Sequence, residues 1–301
     1  MFISRTIFIA SISLIFEGQT AVAQEKKFAG YVTSSTVEAT EVGVEILEKG
    51  GNAFDAAVAV SLAVAASGPA SSGVFGQTVM LVQPADGEPY VIHGTTLSPA
   101  SIPDNVTREQ LTGGRTASTI PSTLKVLSYT LKNYGSGNFS WEQLVNPSVK
   151  ILEEGFKVGP FRHKAFNYYG LGFKDQKEAA EMFFKPDGLP YQLGETFRHP
   201  IMAKTMQRIA EKGADEFYKG DMAKEIAADM AINGGWITYD DLANFPDPKI
   251  VEPIKSTYRG YEIVSLPPPF GGWIMMQILN LLEAQTPEAI DTDDAERRIA
   301  L

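Results

Sequence analysis

Residue types able to carry catalysis are sparse in this chain. It has three histidines, His93, His163 and His199, and no cysteine. Without cysteine there are no disulfides, no thiolate metal sites and no thiol nucleophile. The histidines are scattered, with no spacing that would let them ligate a shared metal, so each reads as a surface or structural residue. No Gly-rich run leads into Lys-Ser or Lys-Thr to cradle a phosphate, and no dinucleotide-binding fingerprint is present. Gly68-Pro69-Ala70-Ser71-Ser72-Gly73 has a superficial likeness to a serine nucleophile elbow. It follows a helical pattern instead of a strand, and it lacks the Gly-x-Ser-x-Gly register. Carboxylates are plentiful, but their spacing marks no acid/base pair. Composition and spacing alone support a secreted α/β domain, with no catalytic residue, metal ligand or cofactor assigned within this chain.

The elements that would position a site are easier to read. Apolar residues at three- and four-residue spacing predict a helix over 35–47, ended by Gly50-Gly51. Asn52 can cap a second helix over 53–66, with Asp55 in its first turn. That helix is nearly all Ala and Val, so it should be buried on all sides. Strands are expected over 78–82 and 90–93, joined by a polar turn at Ala85-Asp86-Gly87-Glu88. Helices follow over 122–134 and 141–153. Ser140 and Gln143 make a capping box for the latter, which Pro147 would bend or interrupt. Periodicity fades over 155–198, which reads as irregular surface with short helical pieces. It returns in a helix after His199-Pro200, with Ile201, Met202, Thr205, Met206, Ile209 and Ala210 as its apolar stripe. Asp221 is expected to cap a helix over 222–232, and Thr238 with Asp241 to open a short one. A hairpin is predicted over 254–266 around Arg259-Gly260, then an apolar helix over 273–283. Another helical pattern starts at 295–301, which reads as a truncated element.

Bulk properties narrow the setting. The chain has 301 residues, of which 44% are hydrophobic and 21% charged, enough for a core without covalent staples. A net charge of −10 repels phosphate backbones, so nucleic acid is not an expected partner. Residues 1–23 combine a positive start, a short apolar run over 6–16 and Ala21-Val22-Ala23, the order of a secretory signal peptide cleaved near Gln24. The apolar run is too short to span a bilayer as a helix. Glu17 just after it leaves an uncleaved anchor as the alternative. The expected location is periplasmic or secreted, with no membrane association after cleavage, and 24–301 forms the mature region.

Several segments carry a resemblance. Gly50-Gly51-Asn52-Ala53-Phe54-Asp55-Ala56-Ala57 closely resembles the Gly-Gly-Asn-Ala-Val-Asp-Ala-Ala signature of gamma-glutamyltranspeptidases. Collinear agreement continues through Ser71-Ser72-Gly73, Gly155-Phe156-Lys157-Val158, the stretch 209–220, Gly234-Gly235-Trp236-Ile237-Thr238 and the prolines Pro267, Pro268 and Pro269. The similarity runs over roughly 28–301. It implies an α+β fold, the four-layer αββα sandwich of the N-terminal nucleophile hydrolases, of which this chain would supply the large-subunit part.

In that family a precursor cleaves itself before a threonine, whose freed amine serves as base for its own hydroxyl. The threonine attacks a γ-glutamyl amide such as glutathione, and the acyl group passes to water or to an amino acid. No cofactor is implied. The expected partners are a small subunit from the same precursor and a small peptide or amide substrate. The nucleophile would lie downstream, so this chain alone is expected to be inactive.

The resemblance also shows departures. Members carry an Arg that pairs with the substrate α-carboxylate, and the matching stretch here is His93-Gly94-Thr95-Thr96-Leu97-Ser98-Pro99, with Thr95 at that place. Losing such a contact costs about 1.5–3 kcal/mol of binding. His93, Thr95 and Thr96 are the candidate substrate-binding residues. Phe75 and Gln77 stand where the family has glycines, Ser122 replaces the Gly of Val-Pro-Gly, and Phe270 occupies a shortened Pro-Pro-Pro-Ser-Ser-Gly-Gly. Three readings follow: a gamma-glutamyltransferase/glutathione hydrolase-like acyl transferase or a related acylase of altered specificity, a non-catalytic secreted binding protein of the same fold, and an incomplete product with no independent role.

Overall fold

The computed structural model describes residues 30–173 and 177–284, with the side chains of 169–173 and 177–179 left aside. The expected signal peptide over 1–23 and the helical pattern at 295–301 lie outside the described residues.

The first elements form where their caps predict. Helix α1 (Val37–Glu48) starts at Thr36, whose side chain accepts the Ala39 N–H. Helix α2 (Ala53–Ser67) opens with a capping box. The Asn52 side chain accepts the N–H groups of Phe54 and Asp55, and the Asp55 carboxylate accepts the Asn52 N–H at 2.8 Å. Such a cap is worth about 1 kcal/mol. Asp55 is fully buried and also accepts the Ser136 N–H, while Asn52 Nδ2 donates to the Tyr134 carbonyl at 2.8 Å. The Gly-Gly-Asn-Ala-Phe-Asp signature therefore ties the start of α2 to a distant turn. After Ala53 no residue of α2 is exposed, as its small side chains require. Gly43 permits the close α1–α2 approach, because a Cβ there would fall 2.5 Å from Val60.

Strands β1 (Thr78–Val82) and β2 (Tyr90–Gly94) pair antiparallel, Thr78 opposite Gly94. A short helix α3 (Arg108–Thr112) and a single 3-10 turn lead to α4 (Thr123–Tyr134), which packs on this sheet. Helix α5 (Trp141–Glu154) has the expected Ser140–Gln143 capping box. It continues through Pro147 because its buried stripe, Leu144, Val145, Val149 and Leu152, packs against α2 and the later helix Pro200–Lys212.

The segment 155–198 holds helical pieces, as expected, but contrary to the sequence expectation it is not irregular surface. It holds β3 (Phe156–Lys157), α6 (Pro160–Phe173), α7 (Lys177–Phe183) and β4 (Thr196–Phe197), with β3 and β4 paired. Phe156, Val158, Phe166, Phe183 and Phe197 form a small core of their own. Aromatic side chains bury so much area that a few suffice, without the regular spacing a longer amphipathic helix shows.

Helix α8 (Pro200–Lys212) begins where expected, with His199 Nδ1 accepting the Met202 N–H at 3.2 Å. Its buried stripe is Ala203, Met206, Ile209 and Ala210, whereas Ile201 is exposed. After α9 (Asp215–Tyr218) comes α10 (Asp221–Ile232), and here Asp221 is not the cap. Glu216, 5% exposed, accepts the Met222 N–H and is held by Arg208 Nε at 2.5 Å, so Asp221 is free to pair with Lys224. Helix α11 (Tyr239–Ala243) has the Thr238–Asp241 capping box.

Strand β5 (Lys249–Val251) adds to β2, giving the order β1-β2-β5. Strands β6 (Ile254–Tyr258) and β7 (Tyr261–Ser265) form the expected hairpin. Its two turn residues have φ of 48° at Arg259 and 82° at Gly260, the left-handed pair that a two-residue hairpin turn requires. Helix α12 (Gly272–Glu283) packs on β6 and β7, yet Trp273, Ile274, Met275, Ile278 and Leu281 remain exposed.

Candidate functional site

Three loops converge on the N-terminus of α4. The carbonyl of Gly76 accepts the N–H groups of Ser122 and Thr123, at 2.9 and 3.3 Å. Leu97 and Ile120 exchange backbone hydrogen bonds, which brings the Thr95-Thr96 segment alongside. Ser122 is fully buried. Its Oγ donates to the Gly94 carbonyl at 2.7 Å and accepts the Thr78 N–H at 3.2 Å. From the other side the Tyr218 hydroxyl donates to the Pro121 carbonyl and accepts the Lys125 N–H. Burial pushes the Tyr218 phenol well above its ordinary range, so it stays a neutral donor. Further along, Asp241 accepts the Ala100 N–H at 2.9 Å. Burial alone would raise its pKa, but the Ala100 and Thr238 N–H groups hold this carboxyl below its usual range.

The predicted site residues do not share one hollow. His93 and Thr95 line a hollow of about 390 Å³, together with Leu97, Lys125 and Phe245. Thr96 turns toward the 71–77 loop, where its N–H and hydroxyl both reach Gln77 Oε1, at 3.2 and 3.3 Å. Gln77 belongs to the wall of a second hollow, about 500 Å³, with Ser71, Ser72, Phe75, His199 and Met202. Ser71 and Ser72 both donate backbone N–H groups to the Gly68 carbonyl, a turn with no nucleophile–base pair. His163 reaches Gln192 and His199 caps α8, so each of these histidines has a structural partner. Among the described residues no group of three His, Cys, Asp or Glu could hold a metal.

Phe75, Gln77, Ser122 and Phe270, four departures from the family pattern, each have a partner. Phe75 stacks on Phe217 with centroids 5.0 Å apart, and Phe270 meets His93 edge-on at 5.3 Å. Gln77 bonds Thr96, and Ser122 bonds Gly94 and Thr78. These pairings were not foreseen from sequence, although each departure was visible there. Lys125 was missed altogether. The signal available was a lysine inserted among the buried Leu124, Val126 and Leu127 of α4.

The α+β architecture, with loops gathered on one helix N-terminus, is that of the N-terminal nucleophile hydrolases. The crystal structure of Helicobacter pylori gamma-glutamyltranspeptidase superposes with a TM-score of 0.81 at 32% identity, covering 90% of this chain and 79% of that one. The gamma-glutamyltranspeptidase family model matches residues 39–299, so the chain belongs to that family. The Escherichia coli (strain K12) glutathione hydrolase proenzyme is 38% identical over 268 residues, covering 84% of this chain and 45% of the relative. This chain thus spans about half the length of the curated relatives it matches. A cephalosporin acylase from Bacillus halodurans also superposes, with a TM-score of 0.74 and 28% identity over 84% of this chain and 49% of that one.

Proposed function

We propose that this chain is the large-subunit part of a self-processing acyltransferase or amidohydrolase whose threonine nucleophile lies further along the precursor. The freed α-amine of that threonine would take the proton from its hydroxyl, and the hydroxyl would attack an amide of an acyl donor. The acyl group then passes to water or to an amine. In this reading the loops at the N-terminus of α4 form one wall of the acyl pocket, with His93, Thr95 and Thr96 on it. The precursor would be secreted by way of residues 1–23 and act in the periplasm or outside the cell. No helix among the described residues is long and apolar enough to cross a membrane.

Partnership with a second subunit is supported by the uncovered face of α12, where Leu281 is 69% exposed. A contiguous apolar patch of this kind marks an interaction surface. Family membership and the half-length match to relatives named as proenzymes agree with that.

The acyl group is the finer question. We infer a specificity moved away from γ-glutamyl, and one observation carries it. Two residues that depart from the family pattern reach the 93–96 stretch, with Gln77 on Thr96 and Phe270 on His93. Independent drift would leave such residues without matched partners. The similarity to an acylase named for cephalosporin shows that this fold carries other acyl specificities.

The test is expression of the full-length precursor. It should split into two subunits on standing, and cleavage without release from a chromogenic γ-glutamyl anilide is the expected result. Efficient release would restore γ-glutamyl as the acyl group. A complete reading frame that encodes no such threonine would end the enzymatic reading.

A further inference from the structure

Lys125 lies in the first turn of α4, and its side chain is only 11% exposed. Its ammonium sits 3.9 Å from Asp215 and 3.7 Å from Asp247, and 5.1 Å from the centroid of the Tyr218 ring. Both carboxylates are beyond hydrogen-bonding distance and are themselves mostly exposed, at 65% and 69%. Some charged pairs close fully, as with Arg208 and Glu216 at 2.5 Å or Lys185 and Glu195 at 3.0 Å, whereas exposed pairs such as Lys150–Glu154 and Lys219–Asp215 stay as open, at 3.9 Å. The stem of Lys125 is therefore sheltered while its ammonium keeps contact with solvent, and no hydrogen-bond acceptor reaches that ammonium among the described residues. An ammonium whose stem is already held in place loses little side-chain freedom when it binds an incoming anion.

Two hollows meet at this ammonium. One is the 390 Å³ space with His93 and Thr95, whose other walls include Leu97, Val126 and Phe245. The other, about 530 Å³, is bordered by Lys132, Lys212 and Lys219 together with Asp215. The first hollow is apolar apart from Lys125, His93, Thr95 and, at its margin, Asp247 and Lys249. A ligand that fits it has a short apolar body ending in a carboxylate.

We propose that Lys125 anchors the carboxylate of an amphipathic acyl ligand seated in the His93–Thr95 hollow. This rests on the acyl-transfer reading and deepens it by naming the substrate class. The carboxylate replaces the distant Asp247 as the ammonium's partner, and the body of the ligand packs on Leu97, Val126 and Phe245.

The experiment titrates hexanoate, with hexanamide as its neutral counterpart, into the full-length protein carrying this chain, followed by NMR shifts. Hexanoate should bind about ten- to hundredfold more tightly than hexanamide, the gain of a sheltered charge-assisted contact. Lys125→Met should erase that preference and Lys125→Arg should keep it. Asp247→Asn, a change at an exposed position, should tighten hexanoate further by removing a competing like charge. Equal binding of the two probes overturns the proposal, as does a preference that survives Lys125→Met. If Asp247→Asn does not tighten hexanoate, the added carboxylate is not taking the place of Asp247 at the ammonium, and the proposal is also overturned. Binding is read without turnover, so a precursor that never self-cleaves would sink the acyl-transfer reading while leaving this result interpretable.

Discussion

His199 is both the cap of α8 and a wall of two hollows, the one around Ser71 and Gln77 and a larger one near Tyr191. Burial pushes its pKa below the ordinary 6.5, although the Met202 N–H needs Nδ1 unprotonated in any case. The unfolded chain then binds the proton more readily than the folded one. Stability contributed by His199 is complete above about pH 6.5 and is lost as pH falls from there toward the folded value. His199→Asn keeps an acceptor at the cap and removes the titration, so its thermal midpoint should vary less than wild type between pH 7 and pH 5. An equal slope in both proteins would place the pH dependence elsewhere. Thr95 allows a second test at this scale. Thr95→Arg in the full-length protein should raise kcat/KM on a γ-glutamyl anilide by about tenfold or more if a carboxylate contact is all that is missing. The gain should grow when Gln77→Gly is added, because the Gln77 side chain crosses to Thr96. Thr95, Gln77 and Phe270 were visible as departures in the sequence. Their pairing was not, since nothing local says that the side chain at 77 reaches 96 or that Phe270 meets His93.

Capping chemistry made the elements readable, because a cap is satisfied within four residues of chain. The capping boxes at Asn52–Asp55, Ser140–Gln143 and Thr238–Asp241 all formed as their sequences predict. Asp221 failed for a non-local reason, since the buried Glu216 arrives first at the Met222 N–H. The segment 155–198 failed for another: its order comes from five apolar side chains meeting across two short strands and two helices. Phe166 is fully buried at the centre of that cluster, 5.0 Å from Phe197 and 5.9 Å from Phe183. Phe166→Ala should cost about 3–5 kcal/mol locally. Because this cluster is separate from the main core, amide exchange should quicken throughout 155–198 while α2 and α5 stay protected. Uniform quickening would show that the two cores unfold as one.

For the whole molecule, the central fact is how much apolar surface stays uncovered. Trp273, Ile274, Met275, Ile278 and Leu281 on α12 face outward, beside a hairpin that pairs with no other described strand. Leu281→Asp should therefore leave the melting of this chain unchanged within about 0.5 kcal/mol, as expected for an exposed site. In the full-length protein the same change should weaken association of the processed subunits, measurable by gel filtration. Unaltered association would move the interface elsewhere. The sequence by itself determined most of the longer helices, the two hairpins, most of the caps and, through short collinear segments, the family. These are properties of local spacing and of short signatures such as the one ending at Asp55. Only the tertiary structure decided which loops meet at α4, which partners the departures reach, and that the stem of Lys125 is sheltered with no hydrogen-bonded partner among the described residues. Such facts depend on side chains far apart in the chain coming within a few ångströms, and hydrophobic periodicity carries no record of that distance.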